Sequence, residues 1–491
     1  MNIMFLISCL SQETVQEKQE QSTAQAPQQR PQQPQNMGHP PHGQHQGKPP
    51  FPPNGNAMQQ KSFTVQPYFQ WQGTAEKETK SIVLISLDTV RADRLSVYGG
   101  RAETPNLQKL VDEGSICMQA VTHFPETALS HWSMMSGVLP LVHGNVPGNG
   151  GSLYKGPTLA EITKEHGYQT AAFIGGVTLT DSASGLSRGF DIYDDQFSFS
   201  HEDMSRKGAE VTNRAVRWIQ KQQQEKKNYF AFVHYFDAHF PYTPPAPWDT
   251  KYDPSYTGTI DGSDKTLAPY RDGKKEPSQR DIEHVLALYD GEISALDATI
   301  APLLAMLDKD TIVAVTSDHG ESFEHGYYFN HRAGLWDSVM HIPLMIRAPK
   351  ISPQTVVKRQ VGLMDLTPTL LSLAGLRSDA RMQGSSIFSE PTREVYVAHT
   401  DPWMPKPQFA ARTLDWKWIE REEGNLIYHL AQDKEEKMAL TELPSVLSSA
   451  KTDTATLLEA LSVHQEKSPR PREISEEECA RLQLLGYVQC Q

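Results

Sequence analysis

The sequence predicts an α/β fold: a mostly parallel central sheet sandwiched by helices, with a smaller C-terminal α+β subdomain. Three observations predict it: apolar runs of strand length, helical patterns between them, and a change of texture after residue 388. The first run, Ser81-Ile82-Val83-Leu84-Ile85-Ser86-Leu87, is continuously apolar between two small hydroxyl residues, which suits a parallel strand buried on both faces. Similar runs follow at Thr170–Ile174, Tyr229–Tyr235, Thr311–Thr316 and Ile342–Ile346. Between them, Thr158–His166 opens with Thr158 and Glu161 at the spacing of a capping box. In Glu292–Leu304, Ile293, Leu296, Ile300 and Leu303 recur at helical intervals, and Asp290, Glu292 and Asp297 are expected on that helix's solvated face. Strands alternating with helices imply a layered α/β sandwich. The later texture is one of short aromatic-rich strands, Val395–His399, Trp416–Ile419 and Leu426–His429, then a charged tail with a helix near Glu476–Leu485. The chain divides accordingly into residues 1–9, a leader; 10–79, a tether; 80–388, the main domain; and 389–491, the C-terminal subdomain.

Lys and Arg number 46 against 59 Asp and Glu, a net charge of −13, which argues against a nucleic-acid-coating protein. Ser11–Gln60 holds 14 Gln and 9 Pro with almost nothing apolar. Such a tract cannot recover an ordering entropy of roughly 1–2 kcal/mol per residue, so it is expected to be disordered or extended. It also dilutes the hydrophobic share to 38%. No stretch approaches the roughly eighteen consecutive apolar residues of a membrane helix. The opening Met1-Asn2-Ile3-Met4-Phe5-Leu6-Ile7-Ser8-Cys9 resembles the lipobox of bacterial lipoproteins, which implies acylation of Cys9 and an extracytoplasmic, periplasmic or cell-envelope location on a Gln/Pro tether. It lacks the basic residue and longer apolar core of a secretory signal, which a start codon placed too late would explain; a chance Cys in a frayed terminus is the alternative. Cys117, Cys479 and Cys490 are too scattered for a disulfide framework or zinc pattern, although the last two could pair.

In doubly wound sheets the working residues gather at the carboxyl ends of strands. There the first run delivers Asp88, and Thr311–Ser317 delivers Asp318-His319-Gly320. Carboxylates and an imidazole brought together at a sheet edge are costly unless something positive sits between them, and one divalent cation is the economical account; a helix N-cap Asp and a turn Asp-His-Gly are the structural alternatives. A third segment, Pro125 to Gly137, places the hydroxyl of Thr127 before a short helical stretch that ends at a glycine suited to a C-cap. An oxygen at such a helix start lies where backbone N–H groups stabilise negative charge.

Together these segments resemble the sulfatase family of the alkaline phosphatase superfamily, over nearly all of the chain from Lys80. The matching pieces are Ser86–Asp93, Thr104–Leu107, Thr127–Gly137, His143-Gly144, Pro157–Glu161, Phe236–Tyr242, Ser317–Glu321, Ile342–Arg347, Asp365–Leu371 and Leu482–Tyr487. The resemblance implies a sulfatase-like fold and a metal site of Asp88, Asp318 and His319, with the oxygen of Thr127 completing the shell around Ca, Mg, Mn or Zn. Many sulfatases carry a second carboxylate after the first; here that place is Thr89, so the site is less anionic. Hydrolytic sulfatases place Cys or Ser in Cys-x-Pro-x-Arg and oxidise it to formylglycine. Here the residues are Thr127-Ala128-Leu129-Ser130-His131, and threonine is not a substrate for that oxidation, so no formylglycine is expected. Threonine is the nucleophile in phosphodiesterase and phosphoethanolamine- or phosphoglycerol-transferring branches. A plain Thr ester has no elimination route and must be attacked at phosphorus or sulfur, which favours phosphoryl chemistry.

The resemblance also implies roles for three histidines. His131 takes the place of the family's Arg as a weaker, pH-dependent donor, a surface histidine being the alternative. His239 matches the substrate-side histidine that hydrogen-bonds or protonates the leaving oxygen. His331 stands where sulfatases place a Lys or His on the transferred group. Asp237, His239 and His331 would alternatively hold a second metal, as in two-zinc members. Asn149 stands at the place of a polar pocket residue, though a Gly-rich turn explains it equally well, and His39, His42 and His45 are incidental to a disordered tract. The expected function is a metal-dependent hydrolase of phosphate, phosphodiester or sulfate esters acting on a small-molecule, glycan or lipid ester. The alternatives are a phosphoryl-alcohol transferase modifying envelope lipid or glycan, and an inactive sulfatase-like lipoprotein. The loop Pro241–Gln279 is expected to shape the pocket.

Overall fold

β1 (Ile82–Leu87) is apolar on both faces because it runs down the middle of a nine-stranded sheet with core on either side. The computed structural model describes residues 80–144, 154–197, 205–390, 393–400, 406–442, 444–445 and 447–448. Cys9 and the tract after it, Asn149, Cys479, Cys490 and Glu476–Leu485 lie outside them. The remaining strands are β2 (Ser115–Val121), β3 (Gln169–Phe173), β4 (Ile192–Asp194), β5 (Tyr229–Tyr235), β6 (Ile312–Thr316), β7 (Ser322–Glu324), β8 (Tyr327–Asn330), β9 (His341–Ile342), β10 (Leu344–Arg347), β11 (Thr355–Gly362), β12 (Tyr396–His399), β13 (Phe409–Arg412), β14 (Trp416–Glu420) and β15 (Leu426–His429).

The large sheet runs β11-β2-β10-β6-β1-β5-β3-β4, with β9 beside β2. β1 pairs in parallel with β5 and β6, placing Ile82 beside both Phe230 and Ile312. Val83, Ile85 and Leu87 join one core with the helices Gly208–Gln224 and Gln279–Met306; Ile82 and Leu84 join another with Leu159–Glu165 and Leu366–Leu373. Two adjacent residue sets on one strand thus cement two helical layers. The capping box of Thr158 and Glu161 is present at the start of its helix.

Three expectations need correction. The run Ile342–Ile346 is broken at Pro343, which has no N–H for a ladder, and its second half, β10, lies antiparallel to β6 and β2. β2 and β11 form without the continuous apolar signature, since Gln119 interrupts one and Lys358-Arg359-Gln360 the other. Asp290, Glu292 and Asp297 are buried, not solvated. The reason is a second layer: the helices Pro105–Glu113 and Trp248–Lys251 both pack on the helix that carries them. Asp290 receives both arms of Arg94, at 2.9 and 2.7 Å, and Asp297 accepts the first N–H groups of Pro105–Glu113.

β7 and β8 form a hairpin over the site end of the sheet, joined by His325-Gly326 with φ +62 and +72, the backbone of a type I′ turn. β12 to β15 form a four-stranded antiparallel sheet in chain order. Among the described residues, no helix is long and apolar enough to cross a membrane.

Candidate active site

Because β1 and β6 are parallel neighbours, their carboxyl ends deliver Asp88 and Ser317-Asp318-His319 to one edge. Thr89 turns the chain there with φ +57, a strained conformation for a β-branched residue. The turn is held from outside: the Thr89 N–H donates to Asp318 Oδ1 at 3.2 Å, the Val90 N–H to Ser317 Oγ at 3.0 Å, and the Tyr289 hydroxyl to the Thr89 carbonyl at 2.6 Å. Strain at Thr89 therefore clamps the two strand ends together. Its own hydroxyl folds back onto the Asp88 carbonyl.

Asp88, Asp318 and His319 are fully buried, and one ligand atom from each lies within 4.8 Å of the others. Their outer atoms are spoken for. Asp318 Oδ1 accepts the His319 N–H at 2.8 Å, Asp88 Oδ2 faces His234 Nε2 at 3.1 Å, and His319 Nδ1 donates to the Gly320 carbonyl at 3.0 Å. That last bond fixes the tautomer, so His319 Nε2 presents a lone pair. Asp88 Oδ1, Asp318 Oδ2 and His319 Nε2 have no hydrogen-bond partner. Burial first, and the neighbouring Asp318 second, push the Asp88 carboxyl well above its usual value. Two carboxylate oxygens and one imidazole nitrogen, buried and unpartnered, fit a divalent cation. Among the described residues no other trio of His, Cys, Asp or Glu brings ligand atoms this close.

Thr127 is the first residue of the helix Thr127–Ser136, which is buried along its whole length and ends at Gly137, φ +69. The Thr127 side chain hydrogen-bonds the Asp88 carboxyl. Ser130 pins the approach to this helix, donating to the Phe124 carbonyl at 2.6 Å. His131 is not a surface residue: its Nδ1 donates to the Thr127 carbonyl at 2.7 Å and its Nε2 accepts from Ser86 Oγ at 2.8 Å. Burial pushes its imidazole down to about 3, so a neutral ring stands where an Arg would bring fixed charge. It ties the helix of Thr127 to β1.

His319, His331 and His239 form a row, with ring centres 4.2 Å apart for the first pair and 5.5 Å for the second. His331 Nδ1 donates to the Pro125 carbonyl and His239 Nδ1 to the Phe240 carbonyl, each at 2.8 Å. His239 is stacked on Phe236, and its Nε2 is unpartnered. Asp237 does not join them: its carboxylate accepts the Gly208 N–H at 3.0 Å at the start of the helix Gly208–Gln224, and burial pushes it up to about 6. The alternative of a second metal held by Asp237, His239 and His331 therefore finds no assembled trio among the described residues.

Sequence reasoning passed over His234, Ser317 and Tyr289. A histidine inside an otherwise apolar strand was the available signal for His234; the other two act on backbone groups that no pattern reveals.

The family model described as Sulfatase matches residues 80–376, and that described as N-sulphoglucosamine sulphohydrolase, C-terminal, matches residues 323–459. Arylsulfatase K of Mus musculus is 22% identical over 459 residues, covering 79% of this chain and 82% of that one. The solved structure of a protein in complex with its substrate D-glucosamine-2-N,6-O-disulfate superposes with TM-score 0.60 and 19% identity, covering 81% of this chain and 100% of that one. A phosphonate monoester hydrolase from Silicibacter pomeroyi does so with TM-score 0.60 and 19% identity, covering 79% and 96%. With the family model spanning the sheet, the helix of Thr127 and the buried Asp-Asp-His trio, the chain belongs to the sulfatase family, hydrolases acting on sulfate or phosphate esters.

Proposed function

We propose that this chain is a metal-dependent esterase with Thr127 as nucleophile, cleaving phosphate or phosphodiester bonds in preference to sulfate esters. The observation that carries the reading is the Thr127 side chain on the Asp88 carboxyl, beside three unpartnered ligand atoms. Relatives named as an arylsulfatase and a phosphonate monoester hydrolase bracket the two ester chemistries.

Asp88, Asp318 and His319, with the Thr127 oxygen, would hold one divalent ion among Ca, Mg, Mn and Zn. Bound there, such an ion supplies positive charge that acidifies the hydroxyl and neutralises the transferred group. Thr127 gives up its hydroxyl proton to solvent and attacks phosphorus in line, and the bond to the leaving oxygen breaks. His239, its Nδ1 committed to the Phe240 carbonyl, turns Nε2 to the leaving oxygen and hands it a proton. Burial holds His239 down to about 3, so it is neutral until the anionic ester draws a proton onto it. His331 contacts the transferred group, and His131 keeps the nucleophile's helix in register with β1. Water opens the Thr127 ester. Because that ester lacks the elimination route of a formylglycine hydrate, phosphorus is the easier centre to attack a second time.

The test is a panel of aryl sulfate, phosphate monoester, phosphodiester and phosphonate substrates with Mn, Zn, Mg or Ca, run against Thr127→Ala and Asp318→Asn. Equal turnover by wild type and both variants would sink the mechanism. The envelope location through acylated Cys9 is a separate part of the proposal; mass spectrometry finding an unmodified Met1 in the native host rejects it.

A further inference from the structure

The stretch between Pro241 and Gln279 carries a cation that the ester chemistry does not use. Arg271 closes the helix Asp264–Arg271, and its guanidinium lies 3.7 Å above the ring of Phe240, the residue after His239. Its Nε donates to the Phe329 carbonyl at 3.1 Å; its other bond, from Nη1 to Asp264, is long at 3.4 Å and goes to a side chain 70% exposed. Phe329 is fully buried with φ +57, a strained backbone for a bulky residue. That strained turn places its carbonyl under Arg271 and, two residues on, brings His331 to the site. One segment thus positions both a site histidine and the guanidinium. The charge of Arg271 bears on His239, Tyr242 and Glu321, and that of Arg332, directly after His331, bears on His331. Two arginines flanking this histidine pair stand out in a chain of net charge −13.

We propose that Arg271 is a specificity-determining residue that binds a second anionic group on the alcohol part of the ester, so that the preferred substrates are esters of acidic alcohols. The inference rests on the reading that the leaving oxygen meets His239, since only then does the alcohol lie on the Phe240 side. Stacking on an aromatic face and one committed Nε–H leave the guanidinium's outer edge in a fixed orientation, the geometry that recognises carboxylate, sulfate or phosphate.

The experiment compares the phosphate and sulfate esters of 4-hydroxybenzoate with those of 4-hydroxybenzamide, near-isosteres that differ by one charge. Wild type is expected to favour the benzoate ester in kcat/KM by about tenfold, mainly through KM, with the preference eroded by salt. Arg271→Gln is expected to abolish that preference and Arg271→Lys to keep part of it. The ratio is internal to each variant, so a loss of folded protein cancels. A benzoate-to-benzamide ratio in Arg271→Gln within about twofold of wild type overturns the proposal and leaves Arg271 a prop for Phe240 and Phe329. Thr127→Ala run beside it separates the failures: full turnover by that variant removes the underlying mechanism, whereas its loss together with an unchanged ratio removes only the role of Arg271.

Discussion

Lys417 and Asp88 mark two places where the protein buries charge, and their surroundings differ in kind. Lys417, almost wholly buried on β14, sits between Asp337 at 2.8 Å and Glu436 at 2.9 Å. Arg412 on β13 grips the same Asp337 at 2.8 Å and reaches Gln119 on β2 at 2.7 Å. Opposite charges meet there, and together they fasten the antiparallel sheet to the large one. Around Asp88 and Asp318, among the described residues, no Lys or Arg forms an ion pair; the contacts are the imidazoles of His131, His234 and His319. Three ligand atoms are left without partners. The contrast teaches where folding energy was completed and where it was withheld: in the first cluster each carboxylate faces a Lys or Arg, while in the second the carboxylates face only imidazoles and a fixed positive charge has to come from what is bound. Substitutions in the two places should therefore separate stability from chemistry.

The largest effect is expected at Thr127. Thr127→Ala should lower kcat by about 10⁴-fold or more while leaving thermal unfolding nearly unchanged, because a nucleophile's contribution is made in the transition state. Steady-state kinetics and calorimetry on one preparation check both halves. Lys417→Met reverses the pattern. It strands Asp337 and Glu436 with one fewer cation and should cost about 3–5 kcal/mol in urea unfolding, with kcat of the remaining folded enzyme intact. A variant that lost turnover with unchanged stability would erase the distinction between the regions. Next comes His234→Gln, which disturbs the bond at Asp88 Oδ2. Metal titration should show affinity weakened by about 10–100-fold, the usual effect of removing an outer partner of a ligand.

These contrasts were unequally legible in the sequence. The strand Tyr229–Tyr235 and the capping box at Thr158 were readable, because an unbroken apolar run and a fixed spacing each have one structural meaning. Asp88, Asp318 and His319 were readable as a trio because both carrier strands end in them and strand ends converge in parallel sheets. The direction of β10 was not, since nothing in Leu344–Arg347 distinguishes a parallel from an antiparallel neighbour. Nor was the burial of Asp290, Glu292 and Asp297, because periodicity marks the apolar face of a helix and says nothing of a second layer over the polar one. For His131 the pattern gives a position one turn into a helix and leaves a surface histidine as the alternative; only the fold removes that alternative, by setting Ser86 across from the ring.

Acid should separate the two regions again. Burial pushes His143 and His239 down to about 3, below the unfolded value near 6.5. As pH falls past about 6.5 the unfolded chain takes up protons that the folded chain refuses, so stability present above that value is lost towards the folded one. Asp337 lies on the other side: Arg412 and Lys417 hold its carboxyl far below the ordinary range, so its contribution persists until the pH falls below the unfolded carboxylate value. Between about pH 7 and pH 5 the histidines should lower the unfolding free energy by up to about 1.4 kcal/mol per imidazole per pH unit. Buried carboxyls such as Asp237 and Glu321 add an opposing gain, because burial holds them up at about 6 and about 7 so that the folded chain protonates them first. His143→Gln should make the dependence less steep by the share of one imidazole; a slope unchanged in that variant would show that the ring is not buried in the neutral form.

The smallest expected effect sharpens the contrast most. Asp297 is buried without a cationic partner, as Asp88 is, yet both its oxygens are used: Oδ2 accepts the Asn106 N–H at 3.1 Å and its side-chain amide at 2.8 Å, and Oδ1 accepts the Leu107 N–H at 2.9 Å. Thr104, at the N-cap of Pro105–Glu113, makes no side-chain cap of its own, so the carboxylate of a neighbouring helix does that work. Asp297→Ala should cost about 1–2 kcal/mol, the loss of a cap that leaves N–H groups unmet, and Asp297→Asn less. Turnover and metal affinity should not move. If they do, lack of a cation partner is itself enough to couple a buried carboxylate to the chemistry. If they hold, the mark of the site is narrower: not a carboxylate buried among neutral donors, but one like Asp88 that keeps an oxygen without a hydrogen-bond partner.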